Sequence, residues 1–207
     1  MDIAASQLDA DAAYKLLVGI VVPRPIAWIT TMSRSGIVNA APFSCYTFVC
    51  NDPPMLAINI GRRDGDLKDT ARNIVETAEF VVNIVTDRLI TSMHATSSEC
   101  APELSEVEAL QLTTHASRDI RPPRLSASPI NLECRLNQVL ELGRLRNSLI
   151  LGEIVRFHIS DDLYDKGKVD SVQLRPLARL AGRKYAMLGE VLRMPKAEIP
   201  GHPADSR

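Results

Sequence analysis

The sequence predicts a mainly β fold, a β-barrel with α-helices at its periphery. Short apolar segments rich in β-branched residues recur along the chain, each bounded by turn residues. Helical periodicity is confined to a few stretches. Two longer strand patterns, over residues 130–142 and 148–159, come late in the chain and would close the barrel. We expect a single domain over residues 1–195 and a flexible tail over residues 196–207.

The first part of the chain predicts one helix followed by a series of strands. Residues 9–18 have the amphipathic pattern of a helix, with Asp9 or Asp11 as its cap. A short strand over residues 18–22 is expected to end at Pro23, because proline disfavours regular structure before it. Further strands are predicted at residues 26–32, 37–40, 43–50 and 55–60.

The rest of the chain alternates between helical and strand patterns. A helix is predicted over residues 66–76, where Asp66 and Asp69 resemble a capping box. The remaining segments are a buried strand at 80–85, a polar and mostly helical stretch at 87–112 with a loop at 97–102, an extended connector at 121–124, the two long strands, and a surface loop at 161–169.

The composition argues against several classes of partner. A net charge of −1 provides no basic field to attract nucleic acid or an anionic membrane. The longest apolar runs are far shorter than the ~18 residues that span a bilayer, and the N-terminus lacks a basic signal segment. The cysteines have neither CxxC nor histidine spacing, so we expect no metal site and a reduced, cytoplasmic protein.

A candidate phosphate site lies around the start of the helix predicted over residues 66–76. Arg62, Arg63 and Lys68 surround this start, and Thr70 places a hydroxyl in the first turn. A helix N-terminus offers free N–H groups and a partial positive charge, and basic side chains add charge-assisted bonds. The alternative is a solvated helix with ordinary surface charges, because three aspartates in the same segment would repel a phosphate.

Two strand segments are candidates for binding a planar ring. Trp28 is the sole tryptophan and lies among apolar neighbours, so it is either a core or interface residue or a wall beside a ring. Ala41 and Pro42 would let backbone approach a ligand closely, and Ser44 could donate to a phosphate oxygen. A hairpin end followed by a strand start explains the same residues structurally.

The order of these motifs resembles the flavin reductase-like family of FMN-binding split barrels. The family pattern runs from an Arg-Pro strand through Gly, Asn-x-Ala-Pro-x-Ser, Pro-Pro and Lys-Asp-Thr-x-x-Asn. The corresponding segments here are residues 24–31, Gly36, residues 39–44, Pro53-Pro54, residues 68–73, and then residues 79–84, 151–155 and 179–185.

The resemblance implies a homodimeric split barrel that binds FMN near the subunit interface. Ser44, Lys68 and Thr70 would hold the phosphate, with Arg62 as a helper and Asp69 beside them. Arg183 and Tyr185 would lie near the entrance for cofactor or substrate. The residues implied to line the ring and ribityl chain are Pro25, Ile26, Ala27, Trp28, Ile29, Thr30, Asn39, Ala41 and Pro42.

The activity implied is that of an NAD(P)H-dependent flavin oxidoreductase, with NADH or NADPH as a transient hydride donor. Electrons would pass on to free flavin or an acceptor protein. A flavoredoxin-type FMN electron carrier, a flavin-binding module without turnover, and an oxidoreductase for a small organic substrate are the alternatives. The chemistry would be centred on the flavin. His158 is a candidate for a substrate-facing role, against the alternative of a hydrogen-bonded strand histidine, and His94 is expected at the surface.

Overall fold

The computed structural model describes residues 1–195, so the tail predicted over residues 196–207 lies outside the described residues. The α-helices are α1 (Ala10–Ile20), α2 (Asp69–Thr77), α3 (Ile90–Ala95), α4 (Glu106–Ala109) and α5 (Ser171–Leu174). The strands are β1 (Arg24–Pro25), β2 (Ala27–Met32), β3 (Val38–Phe43), β4 (Tyr46–Asn51), β5 (Pro54–Ile60), β6 (Arg62–Arg63), β7 (Asp66–Leu67), β8 (Glu79–Ile84), β9 (Thr114–His115), β10 (Arg124–Leu125), β11 (Ile130–Leu142), β12 (Asn147–Ile159), β13 (Tyr164–Asp165), β14 (Lys168–Val169), β15 (Ala178–Arg179) and β16 (Tyr185–Ala186).

Seven strands form one antiparallel sheet in the order β3-β2-β8-β11-β12-β5-β4. The two edge strands, β3 and β4, are separated in the chain by Ser44 and Cys45 alone. Because so short a link joins the two edges, the sheet must curl until they approach each other, which produces a barrel that is split between β3 and β4. Strands hold 39% of the chain and helices 22%, so the predicted mainly β class is confirmed.

The core divides between the two faces of β2, since successive strand residues point to opposite sides. Ala27 and Ile29 face the barrel interior and pack in a cluster with Phe80. Ile26 and Trp28 face outward and pack in a second cluster beneath α3 and α4. The outer cluster fills the space between the sheet and its peripheral helices, so it supports one wall of the cavity described below.

The strand predicted over residues 18–22 is wrong, because α1 continues to Ile20. The guanidinium of Arg24 explains this end: its Nη1 donates to the carbonyl of Val18 at 2.9 Å and to that of Val21 at 2.6 Å. The last carbonyls of a helix lack partners within the helix, and here a buried arginine supplies donors for two of them.

The helix predicted over residues 66–76 begins later, at Asp69, and the expected capping box is absent. Its N-cap is Lys68, which makes no side-chain capping hydrogen bond. The preceding residues form a hairpin of β6 and β7 whose turn is Asp64-Gly65, both with positive φ. Asp-Gly is a preferred two-residue hairpin turn, and its strand pairing overrides the helical pattern of Asp66.

Three predicted segments contain short regular elements. The stretch over residues 87–112 contains a 3₁₀ helix (Asp87–Leu89), α3 and α4. The connector at residues 121–124 leads into β10, which pairs with β9. The surface loop at residues 161–169 holds the β13–β14 hairpin. Within residues 1–195, no helix has the length and apolar content needed to cross a membrane.

Candidate functional site

A cavity of about 490 Å³ lies at the split of the barrel. Its wall combines α1, β1, β3, Ser44, the start of α2, the segment after α3, and the C-terminal hairpin of β15 and β16. This volume lies within the range of roughly 300–1,000 Å³ that small-molecule sites occupy. Elements distant in sequence meet here because the edges of the sheet come together at this place.

The structure brings ten of the predicted site residues to this cavity. They are Ile26, Asn39, Ala41, Pro42, Ser44, Lys68, Asp69, Thr70, Arg183 and Tyr185. Six others do not line it, and they are Pro25, Ala27, Trp28, Ile29, Thr30 and Arg62.

Trp28 lies behind the cavity wall and does not form its surface. It is 1% exposed, and its Nε1 donates to Thr96 Oγ1 at 2.9 Å. Thr96 itself lines the cavity, so one side chain lies between the indole and the cavity. Ala27 and Ile29, on the other face of β2, belong to the barrel core.

The two remaining strand residues face away from the cavity. The Thr30 hydroxyl donates to the carbonyl of Pro123 at 2.6 Å, which attaches the connector before β10 to β2. Pro25 is exposed and pairs with Ala178 of β15. Thr30 therefore holds the connector before β10, and Pro25 holds β15.

Arg62 and Arg63 have different positions because neighbouring strand residues point in opposite directions. Arg62 donates to the carbonyl of Arg146 at 2.7 Å and to Glu141 at 3.1 Å, on the β11–β12 hairpin. Arg63 lines the cavity, and its Nε lies 3.1 Å from Glu99 Oε1. That Nε is buried and makes no hydrogen bond with the described residues.

The cavity carries an excess of positive charge. Its five cationic side chains face two carboxylates, those of Asp69 and Glu106. Asp69 is paired with Arg72 at 2.6 Å, and Arg63 is paired with Glu99 at 3.1 Å, so part of the charge on each side is already neutralised. The five cations are Arg24, Arg63, Lys68, Arg179 and Arg183.

The first turn of α2 adds donors to this cation-rich wall. Its first N–H groups have no partner within the helix, and Lys68 supplies no side-chain cap. Ser44 lies in the same cavity and accepts from Arg24 Nε at 3.4 Å. A buried arginine, a lysine, a serine hydroxyl and free N–H groups fit an anionic group such as a phosphate.

Arg24 was not among the predicted site residues, although it is buried in the cavity wall. Besides capping α1, it donates to the carbonyl of Leu180 at 3.2 Å. It therefore joins α1, Ser44 and the C-terminal hairpin. An arginine between two prolines, Pro23 and Pro25, is the sequence signal that could have indicated a buried structural role.

A hydrogen-bonded network fixes the wall between β3 and α2. Asn39 Nδ2 donates to both carboxylate oxygens of Glu106 at 3.0 Å, and the Ala40 N–H donates to Oε2 at 3.1 Å. The Thr70 hydroxyl donates to Asn39 Oδ1 at 2.8 Å. Sequence reasoning missed Glu106, since 67 residues separate it from Asn39 and no motif surrounds it.

The C-terminal hairpin contributes Tyr185 to the cavity. Its hydroxyl accepts from Arg179 Nη1 at 2.6 Å and lies 2.8 Å from His94 Nδ1. The Arg179 guanidinium also stacks 4.8 Å from the centre of the Tyr185 ring. His94, expected at the surface, is half-buried by this contact. Arg183 lies at the tip of the same hairpin and is exposed.

His158 does not line the cavity and is hydrogen-bonded to a buried carboxylate. Its Nε2 lies 2.6 Å from Glu133 Oε1, and Glu133 also accepts from the N–H groups of Arg118 and Asp119, each at 2.8 Å. Burial alone would raise the pKa of Glu133, but these three donors outweigh it and hold the pKa below its ordinary value. His158 is therefore a hydrogen-bonded strand histidine in this structure, which was the alternative to a substrate-facing role.

Fold and cavity together define a class of protein: a split barrel with a cation-lined cavity of a size that suits a small molecule. A model of the flavin reductase like domain matches residues 19–183. The chain belongs to the flavin reductase-like family, and the predicted split-barrel fold is confirmed. It is thereby a flavin-related oxidoreductase or flavin-binding module.

Similar proteins extend over nearly the whole chain. The protein YwrF of Bacillus subtilis (strain 168) is 41% identical over 192 residues, covering 90% of this chain and 94% of its own. Nitrilotriacetate monooxygenase component B from Bacillus cereus is 35% identical, with a TM-score of 0.91 and coverage of 94% and 98%. The 2-nitrobenzoate 2-nitroreductase NbaA of Pseudomonas fluorescens is 32% identical, with a TM-score of 0.87 and coverage of 99% and 100%.

Proposed function

We propose that the protein binds FMN in this cavity and acts as an NAD(P)H-dependent flavin reductase. The observation that carries the proposal is the cation-rich cavity at the split of the barrel, where five basic side chains face two carboxylates. Membership in the flavin reductase-like family supports a flavin as the occupant. The phosphate of FMN would be attracted by this excess of positive charge, whereas riboflavin carries no charge that the basic side chains could pair with.

The residues present fit an FMN phosphate at the start of α2. Lys68 and Arg63 would provide charge, and the first-turn N–H groups of α2 with the Ser44 hydroxyl would provide donors. The Nε of Arg63 lies 3.1 Å from Glu99 Oε1 without a hydrogen bond to it, so the guanidinium could turn towards a phosphate. Ala41 and Pro42 would face the rest of the cofactor.

When bound, FMN would supply a ring that accepts hydride from NADH or NADPH and passes electrons onward. The chain contributes position and electrostatics. Tyr185, held between Arg179 and His94, would form a rigid wall at the entrance. Met93 and Ile26 would exclude water from the apolar side of the cavity. The basic side chains would favour a cofactor that carries negative charge.

The test combines a spectrum with a turnover assay. Freshly purified protein, or protein titrated with FMN, should show the absorbance of bound oxidised flavin and quenched Trp28 emission, since Trp28 lies directly behind Thr96. NADH or NADPH should then be oxidised with free flavin as acceptor. If the protein binds FMN but neither NADH nor NADPH reduces it, the proposed reductase activity is refuted. Such a protein would still fit the role of an FMN electron carrier.

A second candidate is the reduction of a small organic substrate in the same cavity. The similarity to a 2-nitrobenzoate 2-nitroreductase over 99% of the chain favours this alternative. The basic side chains of the entrance would suit a substrate with a carboxylate. Faster NAD(P)H oxidation with nitroaromatic carboxylates than with free flavin would support this second function. If uncharged nitroaromatics react as fast as the carboxylates, the basic side chains do not recognise the substrate's charge.

We also propose that the protein is a homodimer whose interface lies beside the cavity. The outer face of α1 exposes apolar side chains, with Ile20 at 72% exposed, and β4 exposes Phe48 at 76%. Exposed apolar surface of this kind marks contact sites. Tyr14 and Val18 of α1 also line the cavity, so a partner covering α1 would lie next to the cofactor.

The electron acceptor is proposed to be free flavin or a partner protein. The similarity to a monooxygenase component favours delivery of electrons to a second protein. The thiols of Cys45, Cys50, Cys100 and Cys134 are all free, which supports the proposed cytoplasmic location.

A further inference from the structure

Glu106 is a buried carboxylate in the cavity wall that the proposed flavin chemistry does not use. It is 7% exposed and lies at the start of α4, in the part of the chain that carries no family motif. Both of its oxygens accept from the Asn39 amide, and one also accepts from the Ala40 N–H. α4 is held against β3 by a further bond from the Ser105 hydroxyl to the carbonyl of Val38, at 2.7 Å.

These contacts leave the Asn39 side chain one orientation. A carboxylate only accepts hydrogen bonds, so the Nδ2 of Asn39 must face Glu106. Its Oδ1 then faces α2, where it accepts from the Thr70 hydroxyl at 2.8 Å and from Thr31 at 3.4 Å. Thr31 in turn accepts from Asn73 of α2 at 3.0 Å. Both polar atoms of the Asn39 side chain are thereby used: Nδ2 ties β3 to α4, and Oδ1 ties β3 to α2 and β2.

The consequence concerns the N-terminus of α2. Because the Thr70 hydroxyl is committed to Asn39, the first turn of α2 is anchored to β3 at one point. The N–H groups of that turn then keep a fixed direction relative to Ser44 and the rest of β3. A preorganised set of donors binds an anion more tightly than one that must be ordered on binding.

We propose that Glu106 is a positioning residue for the cofactor: it orients Asn39, which anchors Thr70 and thereby fixes the anion-binding start of α2. This inference rests on the proposed FMN site, but it assigns a role to a residue that has no hydrogen bond to α2. Residues 97–112, which carry no family motif, would thus set cofactor affinity without touching the phosphate.

The test is a reciprocal exchange of donor and acceptor. Glu106→Gln presents an amide NH₂ to either Asn39 or Ala40, both of which donate, so one contact is lost. We expect the Kd for FMN to rise at least tenfold. Adding Asn39→Asp restores the pattern: the amide introduced at position 106 donates to the carboxylate introduced at position 39 and accepts from Ala40, and that carboxylate accepts from Thr70. The Kd of the double variant should return to within about fivefold of the wild type.

The matched control is Glu108→Gln, which removes the same charge from an exposed position of the same helix. It should bind FMN within about twofold of the wild type. Hydrogen exchange of the flavin-free proteins provides a readout independent of the cofactor: the Ala40 amide should exchange faster in Glu106→Ala, which removes its acceptor, than in Glu108→Ala. Melting temperatures separate loss of positioning from loss of folding.

Two outcomes would overturn the proposal. One is a Glu106→Gln variant that binds FMN within about twofold of the wild type. The other is a double variant whose Kd is no better than that of Glu106→Gln. If Glu106→Gln does not fold, the double variant is compared with the wild type directly, and a Kd more than tenfold weaker refutes the positioning role. Wild-type protein that does not bind FMN would instead refute the proposed function, while the exchange rate of Ala40 still tests the contact with Glu106.

Discussion

Lys68 is the side chain on which the proposed phosphate site depends most directly. It precedes the first turn of α2, lines the cavity and forms no ion pair with the residues that the structure describes. Lys68→Ala removes a charge-assisted bond, so the Kd for FMN should rise about tenfold or more, or roughly 1.4 kcal/mol. Titration followed by flavin fluorescence measures it. Lys168→Ala, on the exposed β14 strand, should leave the Kd unchanged, and equal affinities would remove Lys68 from the site.

Gly152 is required by close packing inside the barrel. A Cβ at this position of β12 would contact Phe80 Cζ and lie 2.8 Å from its Cε1. Phe80 is fully buried in the core, so the ring has little room to move. Gly152→Ala should lower the free energy of unfolding by about 1–3 kcal/mol, measured by denaturant titration.

The control for this substitution is Gly19→Ala in α1. A Cβ there meets nothing within 4 Å, and the residue is helical. Alanine is favoured over glycine in a helix, so stability should be unchanged or rise by about 0.5–1 kcal/mol. Equal losses in the two variants would show that the Phe80 contact does not govern the effect.

The residues of the site divide by how far apart their partners lie in sequence. Lys68, Ser44 and Asn39 belong to local motifs, and the sequence alone brought them forward as candidates. Glu106 did not stand out, because its position follows from a contact between distant segments. Arg62 and Arg63 were both candidates for the phosphate site, and strand direction decides that Arg63 and not Arg62 lines the cavity. A sequence motif indicates residues that lie close together along the chain. Which distant residues complete the cavity wall depends on the complete fold.

At the scale of elements, the loop between β9 and β10 is held by the buried carboxylate of Glu133. The N–H groups of Arg118 and Asp119 and the His158 ring all bond to it. Its pKa lies below the ordinary value, so the folded state keeps the charge that the unfolded state loses first on acidification. Its contribution to stability is therefore complete at pH 7 and declines as the pH falls below about 4.5, the ordinary value.

The corresponding variant is Glu133→Gln. It should melt below the wild type at pH 7, because an amide replaces the acceptor of two backbone N–H groups. The difference in melting temperature should shrink as the pH falls towards 3 or so, since only the wild type loses stability there. Glu103→Gln, at an exposed position, should follow the wild type at every pH. A difference that stays constant with pH would contradict the linkage to Glu133.

Elements were predictable where one local signal dominated. Alternation and proline breaks located β5 and β8 within a residue or two, because nothing competes with those patterns. The end of α1 was not predictable from its β-branched residues, since Arg24 caps it from outside the helix. The start of α2 was misplaced because the Asp64-Gly65 turn outweighed the capping pattern that follows it.

For the whole molecule, the proposed dimer predicts that charged substitutions on its interface lower the measured molecular mass. Ile20→Asp together with Phe48→Asp places charges on the exposed apolar faces of α1 and β4. The wild type should have twice the mass of one chain by light scattering, and the double variant should shift towards monomer. Leu145→Asp, at the tip of the β11–β12 hairpin, should remain dimeric. A monomeric wild type at micromolar concentration would refute the dimer.

The link between the two edge strands limits how the chain can vary in length. Ser44 and Cys45 alone join β3 to β4, and Tyr46 pairs with Ile58 directly afterwards. One inserted residue would either move Ser44 away from Arg24 or shift β4 by one position, which turns each of its side chains to the other face. We expect insertions to be tolerated instead at the exposed tip over residues 143–146. In an insertion scan, one residue added between Ser44 and Cys45 should abolish folding, whereas one added within 143–146 should leave the protein folded.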